Sequence, residues 1–366
     1  GKTEPARACS AVNLQEAVSK LIRGRSEDKP TSRFRDFLIG LGAISVAFVA
    51  SGILLAFFGV NPLKAYALLF TGALGTLNNF AETLVQTSPL LLTGLGVAIC
   101  FQCGVWNVGV EGQLYIGAIA TVGLGINFLG LPGYMLIPVC ILGSFIAGGL
   151  WGLLPGWLKV RFGANEVIVT IMMNYIAIIF STYLISGPWA SGFTPVTKSI
   201  EPAARFPVLI SGTRLHGGFV IGLVMAVLLA FLMYRTVLGY QIRAIGNNPD
   251  AARYAGVPVG RRMMLTLTIG GGVAGLAGLG EVAGIHGNMP DGISPGFGFI
   301  GIVVALLGGL HPLWIILSSL FFSALLVGAE SMQRVVGIPV SLVWVLQGLI
   351  VICILASRLL TKDTSS

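Results

Sequence analysis

Apolar runs of about 20 residues, separated by short polar breaks, repeat along most of the chain, near 37–59, 84–104, 112–129, 134–155, 167–187, 218–234, 263–284, 297–310, 312–329 and 339–357. A bilayer core takes roughly 20 apolar residues as a helix. The pattern predicts an all-α fold, a polytopic transmembrane helical bundle of about ten spans. Two-residue alternation is absent, which argues against a transmembrane barrel. The run 297–310 is short and glycine-rich, so it is expected to be a half-helix or re-entrant segment buried against other helices. The polar remainder divides the chain into an N-terminal cytoplasmic segment (1–36), a transmembrane domain (37–357) with a cytoplasmic loop at 235–262, and a cytoplasmic tail (358–366). The first apolar run starts near Phe37 and is long enough to stay as a span, so no cleavable signal peptide is expected.

Composition agrees with lipid as the solvent. Hydrophobic residues make up 55% of the chain and charged residues 10%, against about 25% charged in an ordinary soluble domain. The net charge of +8 raises nucleic acid as a partner, but the placement of the charge argues against it. With the N-terminus inside, 17 of the 22 Lys and Arg residues fall on inside segments. The outside ones are Lys64, Lys198, Arg205, Arg214 and Arg334. That is the positive-inside bias, and it predicts two cytoplasmic termini and an even number of spans. Arg33 and Arg35 are placed to meet anionic lipid head groups.

Several chemistries are missing. There is no GxxxxGK[ST] phosphate loop, since the one Gly-Lys pair is Gly1-Lys2. His216, His286 and His311 are scattered without metal-ligand spacing. Neither an HExxH pair nor a serine-nucleophile elbow is expected. Cys100 and Cys103 form a CxxC flanked by apolar residues and read as small buried hydrophobes. The chain is therefore expected to be a transport or channel component rather than an enzyme, with no bound metal or cofactor. If ATP drives it, the ATPase is another polypeptide.

The loop 235–262 carries five arginines and a fully punctuated short helix. Asn248 is an N-cap residue, and Pro249 suits the first helical position. Asp250 puts negative charge at the positive end of the helix dipole. Ala251, Ala252 and Ala255 favour helix, Gly256 suits a left-handed C-terminal cap, and Pro258 prevents continuation. A helix this short needs something to pack on. It is either a turn lying on its own bundle or a docking knob, with the two alanines against a partner's groove and Arg253 and Tyr254 at its rim.

Here the chain resembles the inner-membrane permeases of ABC importers for nucleosides and simple sugars. The loop residues that carry the resemblance are Gly239, Ile242, Arg243, Ala244, Gly246, Asn248, Pro249, Ala251, Ala252, Ala255 and Gly256. WNVGVEGQ (106–113), GANEVIVTIMMNYIA (163–177), GGGVAGLAGLGE (270–281) and PGFGFIGIVVALLGGLHP (295–312) extend it. The form of the second of these and of NPDAARYAGV is that of the nucleoside-type permease. The resemblance implies a type II-importer-like fold, a bacterial inner-membrane location and transport by alternating access. It implies that Asn248–Gly256 is the coupling helix to an ABC ATPase subunit, which holds ATP and Mg. It also implies a second permease subunit and an external solute-binding protein; a homodimer of this chain is the alternative arrangement. A simple sugar such as ribose, or riboflavin, is the alternative cargo, and an ATP-independent carrier or channel is the alternative class.

Polar groups within the apolar runs are the candidate translocation residues. Asn107, Glu111 and Gln113 lie at a glycine-interrupted junction of two runs, where an unwound turn would expose backbone groups to a polar ligand. Glu111 either serves the solute pathway or caps a neighbouring helix. Asn174 either binds a ligand or joins two helices. Phe297 and Phe299 either stack on a base or sugar or pack the short segment. The glycine run 270–281 reads first as a small-residue packing face.

Overall fold

The computed structural model describes residues 45–337, apart from 47–48, 54, 58, 60, 129 and 131, together with 345, 348, 349 and 352. The expected segment 1–36, the tail 358–366 and most of the run 339–357 lie outside the described residues. The chain divides into two compact units, residues 1–67 with 332–366, and Leu68–Ser331. In the first, the Asn61 side chain accepts hydrogen bonds from the Leu63 and Lys64 backbone and so caps the next helix.

In chain order the helices are α1 (Pro62–Leu74), α2 (Leu77–Gln102), α3 (Val110–Asn127), α4 (Gly133–Phe162), α5 (Glu166–Ser186), α6 (Gly217–Arg235), α7 (Val237–Asn247), α8 (Pro249–Tyr254), α9 (Val259–Leu279), α10 (Phe297–Leu307) and α11 (Pro312–Val336). A two-stranded hairpin, β1 (Ala190–Ser191) and β2 (Thr194–Thr197), sits between α5 and α6. It is a small exception to the all-α expectation. Helix α9 runs on as a π-helical stretch, Gly280–His286.

Among the described residues six helices are long and apolar enough to cross a membrane: α2, α4, α5, α6, α9 with its π continuation, and α11. The bent pair Val49–Phe57 and Pro62–Leu74 makes a seventh if it is one span. The expected count of about ten is not confirmed. The run 37–59 falls partly, and 339–357 largely, outside the described residues; the helix at Val110–Asn127 is not among the six. Phe297–Leu307 has 11 residues, which makes it about 16 Å long, half of a bilayer core of roughly 30 Å.

Helix α9 is the centre of the Leu68–Ser331 unit and packs on α2, α3 and α4. Its glycines make this possible. A Cβ on Gly270 would lie 2.6 Å from the Gly96 carbonyl of α2, one on Gly278 2.1 Å from the Leu114 carbonyl of α3, and one on Gly275 2.4 Å from the Ser144 carbonyl of α4. The helices therefore meet backbone to backbone. Between helices in lipid, where burial from water drives nothing, such close van der Waals contact is the main source of association. The outer helices show the opposite pattern. Leu142, Ile146 and Leu150 of α4, four apart, are exposed, as are Val220, Val224, Val227 and Phe231 of α6. They form apolar stripes suited to acyl chains.

The segment between α5 and α6 lies along the exit of α9. The Thr197 amide donates to the Met289 carbonyl, Ile200 to Gly287 and Phe206 to Ala283. His216 caps α6, its Nδ1 accepting from the Gly218 amide at 3.1 Å.

Candidate functional site

Two groups of residues singled out by sequence are assembled by the fold, one at the loop 235–262 and one at the junction of α2 and α3.

In the loop, Thr236 starts α7 by accepting from the Gly239 amide at 3.2 Å. Asn248 ends α7, its N–H donating to the Ala244 carbonyl, and begins α8, its Oδ1 accepting from the Asp250 and Ala251 amides at 3.0 and 3.1 Å. The end of α8 closes with Gly256 at φ +81°, in open space, a conformation that disfavours any side chain. Asp250 and Arg253 pair at 3.2 Å on the exposed surface, where such a pair contributes little. The two alanines do not form one outward face. Ala252 is buried against the chain itself, whereas Ala251 is exposed and Tyr254 is 95% exposed. The reason is helical geometry: neighbours in sequence are about 100° apart around a helix, and α8 rests on α7 and α9. The outward surface is thus Ala251, Arg253 and Tyr254.

Loop and membrane segments meet directly at Gly246. A Cβ there would come within 2.0 Å of the Gln102 carbonyl, at the end of α2.

Beyond Gly104 the chain is irregular through Val108, as expected of an unwound turn, and is tied by a closed set of hydrogen bonds. Asn107 and Gln113 exchange side-chain amide bonds at 3.1 and 3.2 Å, and Asn107 also accepts from the Gly109 amide. Asn174, on α5, accepts from the Gly112 amide at 2.8 Å and donates to the Val108 carbonyl at 2.9 Å. The Glu111 carboxylate accepts from the Gly298 amide at 2.6 Å, in the first turn of α10. A carboxylate at a helix N-terminus meets the positive end of the dipole. Asn107, Glu111, Gln113 and Asn174 are all buried. They form a rigid joint between α3, α5 and α10, with the hydrogen bonds turned toward the chain. Phe297 is buried and its carbonyl accepts from the Thr93 hydroxyl at 3.2 Å, whereas Phe299 is 47% exposed.

Sequence reasoning missed the partners across the fold: Thr93, Gly298 and Ser294. The string Gly292-Ile293-Ser294-Pro295-Gly296 does have the nucleophile-elbow form, contrary to expectation. It follows no strand, and the Ser294 hydroxyl accepts from the Gly296 and Phe297 amides in the turn that leads into α10, whose N-cap residue is Gly296. The histidines are also employed: His311 stacks on Tyr234 with ring centroids 4.8 Å apart, and His286 faces Glu281 at 3.8 Å. Cys100 and Cys103 are buried and unpaired with each other. No group of three or more metal-ligating side chains occurs among the described residues.

A family model described as branched-chain amino acid transport system / permease component matches residues 79–355. The guanosine ABC transporter permease protein NupP of Bacillus subtilis (strain 168) is 37% identical over 330 residues, covering 89% of this chain and 94% of that protein. The nucleoside ABC transporter permease protein NupB of Lactococcus lactis subsp. cremoris (strain MG1363) is 35% identical over 331 residues, covering 87% and 91%. The glucose ABC transporter permease protein TsgB13 of Haloferax volcanii is 31% identical over 327 residues, covering 86% of each. No solved structure matches the chain significantly. The matched span contains both the α8 loop and the Asn107–Glu111 joint, and the chain belongs to the family of branched-chain amino acid transport system permease components.

Proposed function

We propose that this multi-pass permease is the membrane subunit of an ATP-driven importer that takes up nucleosides by alternating access. As a transport subunit it performs no chemistry of its own. ATP and Mg act on a separate ABC ATPase, with a second, different permease and an external solute-binding protein completing the complex. The charge bias supports an inner-membrane orientation with both termini in the cytoplasm.

The observation that carries the reading is α8. It is capped at both ends, held on one side by buried Ala252, and presents Ala251, Arg253 and Tyr254 outward. A six-residue helix is not stable alone, so its regular outward face is preserved by packing and is suited to a groove. A carrier without an ATPase has no use for such a knob. Closure of the ATPase would move α8 and with it α7, which meets α2 at Gly246. At membrane depth Phe299 is the aromatic face offered to a base or sugar. Asn107, Glu111, Gln113, Asn174 and Phe297 hold the shape of the pathway from behind.

Nucleosides are favoured over sugars by the 37% and 35% identities, against 31% for the glucose permease. The test is purification of this chain with its neighbouring ATPase and binding protein. Nucleosides, ribose, glucose and riboflavin are then compared for their shift of the binding protein's Tm and for ATP-dependent uptake. Stabilisation and uptake by ribose or glucose but by no nucleoside would reverse the substrate assignment.

A further inference from the structure

We infer that the stacked side chains of Arg243, Tyr234 and His311 form the joint through which the cytoplasmic loop moves α10. The inference rests on the reading of α8 as the ATPase-docking helix.

Three chain segments contribute one side chain each. The Arg243 guanidinium of α7 lies 5.0 Å over the Tyr234 ring at the end of α6. His311 stacks on the same Tyr234 ring, 4.8 Å away between ring centroids and inclined by 22°. Cation over ring and ring against ring are both attractive contacts that tolerate sliding and tilting. A second path runs beside it: Gly246 presses on the Gln102 carbonyl at the end of α2, and the side-chain amide of the same Gln102 donates to the Leu310 carbonyl.

Both paths end on adjacent residues, Leu310 and His311, in the turn that closes α10. That turn is stiff. Gly309 and Leu310 are both left-handed, at φ +61° and +60°. The Leu310 amide donates to the Ala305 carbonyl at 2.9 Å, and the His311 amide to Gly308 at 3.2 Å. His311 also begins α11, its Nδ1 accepting from the Leu313 amide at 3.3 Å, so a push on His311 reaches α10 through this turn and α11 through that cap. The far end of α10 carries Gly298 and Phe297, which Glu111 and Thr93 hold. Eleven residues of helix span about 16 Å, enough to carry a cytoplasmic displacement to membrane depth, where Phe299 is exposed. The short helix, packed along α2, thus has the stacked rings at one end and a hydrogen-bonded seat at the other.

The test uses the complete importer reconstituted in proteoliposomes, with solute moved per ATP hydrolysed as the readout and ATPase retained on purification as the control. Tyr234→Leu removes the ring that both contacts share and Tyr234→Phe keeps it; His311→Leu removes the ring stacked on it. Tyr234→Leu and His311→Leu are expected to lower transport per ATP at least about fivefold, the low end of coupling between distant sites, with the ATPase retained and turning over. Tyr234→Phe is expected to stay near wild type. Unchanged transport per ATP in Tyr234→Leu would overturn the joint while leaving α8 docking intact. Loss of ATPase retention in parallel with transport would also overturn it, since Tyr234 would then serve packing or head-group anchoring. Failure of the unaltered chain to retain an ATPase would refute the docking reading itself.

Discussion

At Asn248 the chain ends one helix with its backbone and starts the next with its side chain. Replacing Asn248 with Ala removes both cap acceptances and is expected to cost α8 about 1 kcal/mol, with Asn248→Asp restoring it; limited proteolysis of the loop reads the difference. Gly256 works by conformation alone, since nothing lies near its missing Cβ. Gly256→Ala is expected to destabilise the loop by roughly 1–2 kcal/mol through its left-handed backbone, with no steric clash added. On the opposite side of the bundle, burial, and secondarily Arg214, pushes the His216 imidazole down to about 4, from an ordinary value of about 6.5. The neutral ring is the form that caps α6. Its contribution is complete above about 6.5, where folded and unfolded chains are both neutral, and is lost as pH falls toward 4, where only the unfolded chain gains the proton. Melting temperature is expected to fall over that interval, and His216→Asn, a cap that does not titrate, is expected to flatten the fall. The punctuation of α8 was the most legible feature in the sequence, because Asn248, Pro249 and Gly256 each act on backbone within about four residues of themselves, whereas the cap at His216 was not read from the sequence.

Whole elements were legible in kind but not in orientation. The apolar runs located α3, α5, α6 and α9 to within five residues, whereas α2 begins seven residues before its run and α4 ends seven residues after its own; the count of about ten spans is not confirmed among the described residues. The Ala-Ala pair was legible as helix. That Ala252 faces inward depends on where α7 and α9 lie, which no local signal records. This gives α8 a sharp test. Ala251→Trp is expected to abolish ATPase retention while leaving thermal stability unchanged. Ala252→Trp is expected to lower stability itself, by about 1–3 kcal/mol as overpacking does. The glycine run was legible as a small-residue face, but it serves three helices. Gly278→Ala, which points a methyl at the Leu114 and Ala118 backbone of α3, is expected to lower the melting temperature in detergent. The bond between Glu111 and Gly298 joins residues 187 apart, and its partner was invisible before folding. It is the contact that the helix-cap reading of Glu111 requires. Glu111→Gln keeps an acceptor for Gly298 and is expected to retain more transport than Glu111→Leu.

At the scale of the molecule, the α9 core, the α3–α5–α10 joint and the outward α8 divide the work of a permease. A tightly packed core resists deformation, so movement belongs to elements attached to it by few contacts, such as α8. The central claim is that ATP hydrolysed on another subunit drives solute through this chain by way of α8. The most direct measurement is ATP-dependent nucleoside uptake by the reconstituted importer, comparing the unaltered chain with Ala251→Trp at equal protein. The account expects uptake in the first and none in the second, with the altered permease still folded. Equal uptake in both, or uptake that continues without ATP, would contradict it.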